Sequence, residues 1–153
     1  MSTIIGIDPG QSGGIAILRD GTTEAYKMPE TPRSIADFLE GFQGDSDTFA
    51  FLEKVHAMPR QGIASTAKFM RGVGVLDGIL TAYEIPFDEV TPQRWQKEMG
   101  CMTKGDKNVS KRRAQQLFPM LKITHALADA LLIAEYGRRV TAQRNGEPLE
   151  QPT

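Results

Sequence analysis

The sequence predicts a single α/β domain in which helices cover both faces of a mixed five-stranded sheet. Three short apolar segments, rich in β-branched residues, open the chain and are separated by the turn-forming pairs Pro-Gly and Asp-Gly. They lie at residues 3–8, 13–18 and 21–28. Helical and extended segments then alternate, so we expect the fourth and fifth strands to run parallel to the first. Three antiparallel strands followed by parallel strands make the sheet mixed.

The remaining elements follow from hydrophobic spacing and from residues that begin or end helices. Extended segments are predicted at 48–55 and 86–90. Two helices are predicted to begin at Thr31-Pro32 and at Thr91-Pro92. Three more are predicted at 65–83, 110–118 and 124–139, and a loop at 100–108. The polar, proline-containing segment 141–153 is predicted to be a disordered tail, which leaves residues 1–140 as the folded domain.

Composition favours an ordinary globular protein of one domain. The chain has 153 residues, of which 40% are hydrophobic and 24% are charged, and this suits one core. Its only cysteine, Cys101, excludes a disulfide within the chain and favours a reducing compartment. The first residues do not resemble a signal peptide, and no apolar stretch approaches the length of a membrane span. We therefore expect a cytoplasmic protein without membrane contact.

The net charge of −1 conceals an uneven distribution of charge along the chain. Residues 1–53 contain nine acidic and three basic side chains, whereas residues 94–122 contain eight basic and two acidic ones. A phosphate backbone responds to such local patches rather than to the total charge. A solvated helix face is the simpler interpretation of a basic run alone, so the nucleic-acid interpretation depends on the acidic residues described next.

Three carboxylates stand in positions that predict a metal site. Asp8 ends the first strand, Glu53 lies in the apolar segment F-A-F-L-E-K-V, and Asp129 lies in the apolar last helix. A buried carboxylate is costly unless it is paired, protonated or bound to a cation. Three converging carboxylates suit a hard divalent cation, and two such ions about 4 Å apart can promote phosphodiester hydrolysis. The alternative is that each acid is satisfied separately, for example Glu53 by Lys54.

Two further motifs near these acids are less specific. His125 precedes Asp129 by four residues, so both side chains share a helix face, and His125 is either a metal ligand, a proton carrier or part of the helix start. The glycine-rich segment 8–14, D-P-G-Q-S-G-G, resembles the phosphate loop of the actin and Hsp70 class. That class needs two such domains, and this chain has neither a Walker lysine nor a G-x-G-x-x-G motif, so no nucleotide cofactor is expected.

Three motifs in order resemble the RuvC-type Holliday junction resolvases of the RNase H-like superfamily. They are I-I-G-I-D-P-G at 4–10, F-L-E-K-V at 51–55 and H-A-L-A-D-A-L-L-I-A at 125–134. Each motif alone is weak, but their order and spacing match the family over nearly the whole chain to about Arg139. The short length and the L-L-I-A-E-Y ending resemble a phage-encoded member, which implies the cytoplasm of an infected bacterial cell.

The resemblance implies an RNase H-like fold, a homodimer, two Mg²⁺ or Mn²⁺ ions per active site, and paired nicks across a four-way DNA junction. It places Asp8, Glu53 and Asp129 as the metal-binding, catalytic acids. Many members have a further acid three residues before the last aspartate, where this chain has Ala126. His125 is the nearest replacement, either as a fourth metal ligand or without that role.

The resemblance and the charge pattern also suggest DNA contacts. The family inserts an aromatic side chain at the junction centre just after the second acid, and here His56 holds that place, either to stack on a base or without a role. Residues 58–61, including Arg60, form a predicted loop placed to enter a junction. Trp95 is interpreted as a core or helix-packing residue. The apolar stripe of helix 65–83 is most simply part of the core, and the resemblance suggests that one edge of this helix serves as a dimer interface. The residues predicted to hold phosphates are Lys104, Lys107, Lys111 and Arg112, with Thr103 and Ser110 assisting.

The function expected from these observations is metal-dependent hydrolysis of branched DNA that leaves a 5′-phosphate and a 3′-hydroxyl. One alternative is a nuclease on the same fold with another substrate, such as flaps, forks or RNA–DNA hybrids. Another is a branched-DNA-binding protein without catalysis, although such a binder would gain nothing from burying acids beside phosphate.

Overall fold

The computed structural model describes residues 2–56, 60–102 and 104–149. Within these ranges the strands are Thr3–Asp8 (β1), Gly14–Arg19 (β2), Thr22–Lys27 (β3), Thr48–Glu53 (β4) and Phe87–Val90 (β5). The helices are Pro32–Leu39 (α1), Ile63–Ala82 (α2), Pro92–Met99 (α3), Lys107–Leu117 (α4) and His125–Asn145 (α5). A short 3₁₀ turn, Glu40–Phe42, follows α1. No helix in these ranges is both long enough and apolar enough to cross a membrane.

The five strands form one sheet in the order β3-β2-β1-β4-β5. The pairs β1–β2 and β2–β3 are antiparallel, whereas β4 runs parallel to both β1 and β5. The predicted mixed sheet of three antiparallel strands followed by parallel ones is therefore confirmed. The last paired residues of β1 and β4 are Ile7 and Leu52. Asp8 and Glu53 each follow directly, so they leave the same edge of the sheet side by side.

Alternation along the strands divides the core into two layers, one on each face of the sheet. Ile5, Ile7 and Leu52 pack in the layer that contains the buried side chains of α1 and α2. Ile4 and Phe51 pack in the opposite layer, against the buried side chains of α3, α4 and α5. Both faces are covered by helices, as predicted. Because side chains alternate, Asp8 and Glu53 point to the same side as Ile4 and Phe51, which is the α5 side.

The close approach of α5 to β1 depends on Gly6. A Cβ at Gly6 would meet the carbonyl oxygen of Ala130 and the backbone nitrogen of Ala134 at distances that no side chain tolerates. One turn earlier in α5, the carbonyl oxygen of Ala126 lies 2.6 Å from where a Cβ of Gly14 would be. Gly14 pairs with Asp8. The first turns of α5, which carry Asp129, therefore lie over the Asp8 end of β1.

Several predicted boundaries are wrong, and three of them have a bearing on the site and the tail. The last helix does not end at Arg139, and residues 141–145 are not part of a disordered tail, because Ala142 is buried and Arg144 pairs with Asp88 at 3.3 Å. Helix α4 begins at Lys107, three residues earlier than predicted, because Asp106 accepts a hydrogen bond from the Asn108 amide at 2.9 Å and caps it. Strand β4 ends at Glu53, two residues before the predicted end.

Candidate active site

Three partly buried carboxylates lie on the α5 side of the sheet, near the ends of β1 and β4. Asp8 ends β1, Glu53 ends β4, and Asp129 lies in the second turn of α5. Their charges act on one another, because the pKa of Asp8 is raised by both Glu53 and Asp129. The three acids that the sequence singles out thus lie within electrostatic reach of one another, although 121 positions of chain separate the first from the last.

Asp8 has the most strongly perturbed environment of the three. Burial raises the pKa of its carboxyl group well above the ordinary value, and the charges of Glu53 and Asp129 raise it further. The charge of Lys107, in the first turn of α4, opposes this shift. Asp8 therefore lies where negative charge is in excess and where a cation would be strongly favoured.

Glu53 has a specific partner on α3. Burial raises the pKa of its carboxyl group to about 7, the hydrogen bond from Trp95 lowers it, and the charge of Asp129 raises it. The indole Nε1 of Trp95 donates to Oε2 of Glu53 at 2.7 Å. The sequence predicts a core or helix-packing role for Trp95, and its side chain is fully buried. Its hydrogen bond to the second acid could not be found from the sequence, because no local signal links residues 42 positions apart.

Asp129 is supported by α4. Burial raises the pKa of its carboxyl group, whereas a hydrogen bond from Ser110 and the charges of Lys107 and His125 lower it. Ser110 is only 3% exposed, so it supports Asp129 from the interior. The prediction that Ser110 helps to hold DNA phosphates is therefore wrong. Burial also raises the pKa of the nearby Cys101 thiol to about 11, so this cysteine is a protonated core residue.

The raised pKa values predict an unusual pH dependence of stability in the absence of metal. A carboxyl group whose folded pKa is raised stabilises the fold below its unfolded pKa, and this stabilisation is lost as the pH rises through the folded pKa. For Glu53 the interval runs from the ordinary value of 4.5 to about 7. In EDTA, the melting temperature of wild type should fall by about 3 °C or more between about pH 5 and pH 8.

Glu53→Gln isolates the contribution of this carboxyl group in the same melting experiment. Between about pH 5 and pH 8 the melting temperature of the variant should fall less than that of wild type, because glutamine does not titrate. Melting curves of wild type and Glu53→Gln that depend on pH in parallel would contradict the assignment of a raised pKa to Glu53.

The three carboxylates supply the right ligand chemistry but are not a preassembled metal cage. Among the residues that the structure describes, no group of three or more His, Cys, Asp or Glu side chains is arranged so that it could hold a metal ion. Mutual repulsion keeps carboxylates apart when no cation lies between them. The donor set consists of carboxylate oxygens, which Mg²⁺ and Mn²⁺ prefer. The oxygen donors of these residues therefore fit a hard divalent cation by their chemistry.

The predicted basic residues fall into two groups. Lys107 is the lysine whose charge reaches both Asp8 and Asp129. Lys104, Lys111 and Arg112 lie in the preceding loop and on the first two turns of α4. Lys104 and Arg112 are exposed, and Lys111 is partly buried. The start of α4 thus carries a basic surface that begins beside the carboxylates.

The remaining predicted residues are His125, at the start of α5, and residues in or next to the segments 57–59 and 103. His125 is exposed as the first residue of α5, and its charge acts on Asp129, as the four-residue spacing predicted. His56 and Arg60 are exposed and flank residues 57–59. Met58 and Pro59 of the predicted junction-entering loop, and Thr103 of the predicted phosphate contacts, lie outside the described residues.

Comparison with known proteins adds the fold to this geometry. No family model and no curated protein matches the chain. Thermus thermophilus RuvC matches with a TM-score of 0.58 and 16% sequence identity, over 96% of this chain and 99% of that one. T. thermophilus RuvC in complex with a Holliday junction substrate matches with a TM-score of 0.59 and 15% identity, over 97% of this chain and 100% of that one.

The chain has the fold of RuvC. The match covers almost the full length of both proteins, so the shared fold extends over nearly the whole chain. The RNase H-like fold that the three sequence motifs predicted is therefore confirmed.

Proposed function

We propose that this protein is a metal-dependent endonuclease that resolves four-way DNA junctions by paired phosphodiester cleavage. The observation that carries the proposal is that Asp8 and Glu53 end neighbouring strands and that their carboxylates and that of Asp129 influence one another, with the charge of Lys107 acting on Asp8 and Asp129. The RuvC fold supports it, since the T. thermophilus protein of that fold is described with a Holliday junction substrate. Excess buried negative charge beside a basic surface favours catalysis on phosphate over simple binding.

Mg²⁺ or Mn²⁺ fits the donor set, and Asp8, Glu53 and Asp129 would hold it, with two ions per active site. When bound, such ions activate a water for attack and stabilise the leaving oxygen of the phosphodiester. His125 is the candidate for a fourth ligand or a proton carrier, because it is exposed and electrostatically coupled to Asp129. The fit of these ions to the site is supported by the oxygen donors of the three acids and by the raised pKa values of their carboxyl groups.

The side chains around the carboxylates would position the DNA. Lys107 can attract a phosphate to the acids, whose charges it already offsets. Lys104, Lys111 and Arg112 would hold the adjoining backbone. His56 and Arg60 would contact the junction centre, since they are exposed and follow β4 closely after Glu53. These contacts would orient a phosphodiester in line with the acids.

A homodimer would supply the two active sites that paired cleavage requires. Helix α2 supports this because its first half exposes two large apolar side chains seven residues apart: Ile63 is 90% exposed and Met70 is 40% exposed. Large exposed apolar side chains on one helix are typical of interaction surfaces. We therefore place the second copy of the chain on α2.

Met70→Glu is expected to weaken dimerisation at least tenfold, because the new charge would be buried in the interface. Sedimentation equilibrium over a range of protein concentrations would measure the change. Met120→Glu is the matched control, since Met120 is also exposed, at 57%, but follows α4. A monomeric wild type, or equal dimer constants for both variants, would exclude α2 as the interface.

Cleavage of a labelled, immobile four-way junction in Mg²⁺ or EDTA tests the proposed function. Symmetric nicks that appear only with Mg²⁺ are the expected result. A fork, a flap and an RNA–DNA hybrid in parallel reactions would reveal a nuclease with another specificity. Junction binding without products in either Mg²⁺ or Mn²⁺ would refute catalysis and favour an architectural role.

A further inference from the structure

The indole of Trp95 donates its only hydrogen bond to the Glu53 carboxylate. Trp95 is fully buried, and an indole has a single hydrogen-bond donor and no acceptor. That donor, Nε1–H, bonds to Oε2 of Glu53 at 2.7 Å, which is at the short end for an N–H···O hydrogen bond. The bond therefore fixes one oxygen of this carboxylate from the protein interior.

The segment that leads into α3, which carries Trp95, is hydrogen-bonded to the strand that carries Glu53. Glu53 pairs with Val90 of β5, and the amide of Lys54 donates to the Val90 carbonyl at 2.7 Å. The next residue, Thr91, caps α3 by accepting from the Arg94 amide at 3.3 Å. Trp95 is thus one turn into a helix that begins where β5 meets the end of β4, and its position relative to Glu53 is set by backbone pairing.

We propose that Trp95 is a positioning residue that holds Glu53 in the orientation that binds the divalent cation. With Oε2 held by the indole, Oε1 remains to face the cation, and the side chain does not need to be ordered when the ion arrives. Partners of metal ligands commonly contribute 10–100-fold to metal affinity. The inference rests on the proposed cation site and assigns to Trp95 a role that core packing alone would not give it.

Trp95→Phe tests this role by removing the N–H while keeping an aromatic ring in the core. Isothermal titration with Mn²⁺, without DNA, should show an affinity about tenfold lower than that of wild type. Phe118→Leu is the matched control, because Phe118 is fully buried in the same core layer. It should lower the melting temperature but leave Mn²⁺ affinity unchanged. In a Glu53→Gln background, Trp95→Phe should have no further effect on Mn²⁺ affinity.

Wild-type protein provides a second measurement that does not depend on the folding of any variant. Trp95 is the only tryptophan of the chain, so the ¹H–¹⁵N spectrum contains one indole cross-peak. This cross-peak should move with a saturable dependence on Mg²⁺ and should not respond in Asp8→Asn.

Three results would overturn the proposal. They are Mn²⁺ affinity of Trp95→Phe within twofold of wild type, an equal loss of affinity in Phe118→Leu, and an indole cross-peak that stays fixed while Mg²⁺ binds. In each case saturable cation binding that depends on Asp8 would still support the cation site, and only the positioning role of Trp95 would be excluded. No cation binding by wild type would instead refute the site itself, and the positioning role with it.

Discussion

Asp8→Asn is expected to reduce junction cleavage by roughly 10³-fold or more, the scale seen when a group that acts only on the transition state is removed. Asparagine preserves the size of the side chain but replaces an anionic oxygen with an amide that holds a cation poorly. Junction affinity should stay within a few-fold of wild type, because the change removes negative charge beside phosphate. Single-turnover cleavage and a binding titration in Ca²⁺ would measure the two effects separately.

The same substitution should stabilise the metal-free protein. Burial and the charges of Glu53 and Asp129 raise the pKa of Asp8, so its ionised form destabilises the fold at neutral pH. Asp8→Asn should therefore melt at a higher temperature than wild type in EDTA at pH 8. Mg²⁺ should reduce this difference in melting temperature, because it stabilises wild type more than the variant. A rise in stability together with a loss of activity is the pattern expected of a residue retained for function.

Asp47→Asn is the control, since Asp47 is an exposed acid in the turn before β4. It should change neither cleavage nor melting temperature appreciably. Cleavage by Asp8→Asn at the wild-type rate would show that Asp8 does not bind the catalytic metal. A large fall in junction affinity or in melting temperature would instead give Asp8 a structural role.

Gly6→Ala is expected to destabilise the fold by about 3 kcal/mol, the upper end of the usual cost of overpacking. The added methyl group would clash with backbone atoms of Ala130 and Ala134. Backbone atoms cannot avoid the clash by a rotamer change, as a side chain could. Helix α5 would have to move away from β1, and Asp129 would move with it. For a domain of this size the melting temperature should fall by about 10 °C.

The substitution should also weaken Mn²⁺ binding, because Asp129 would be displaced from Asp8 and Glu53. Gly41→Ala is the matched control, since a Cβ at Gly41 would meet nothing within 4 Å. Urea unfolding of the two variants would compare the free energies of unfolding directly. Equal free energies for Gly6→Ala and Gly41→Ala would show that close packing of α5 on β1 does not set the position of the site.

Local patterns in the sequence were sufficient to predict the sheet and to single out the three acids as candidates. The turn pairs after β1 and β2, the alternation of elements after residue 31 and the apolar settings of Glu53 and Asp129 each depend on a few neighbouring residues. Helix ends were harder to predict. Residues 141–145 appear polar in sequence, but the helix continues because Ala142 is buried and Arg144 reaches Asp88.

The sequence by itself determined which segments form strands, the direction in which they run and which three carboxylates are candidate metal ligands. Hydrophobic period and turn chemistry are properties of short segments, so these features could be read locally. Only the tertiary structure decided that Trp95 bonds to Glu53, that Ser110 supports Asp129 from the interior and that Lys107 reaches two acids. Each of these contacts joins different elements, and its partner is fixed by how α3, α4 and α5 pack on one face of the sheet.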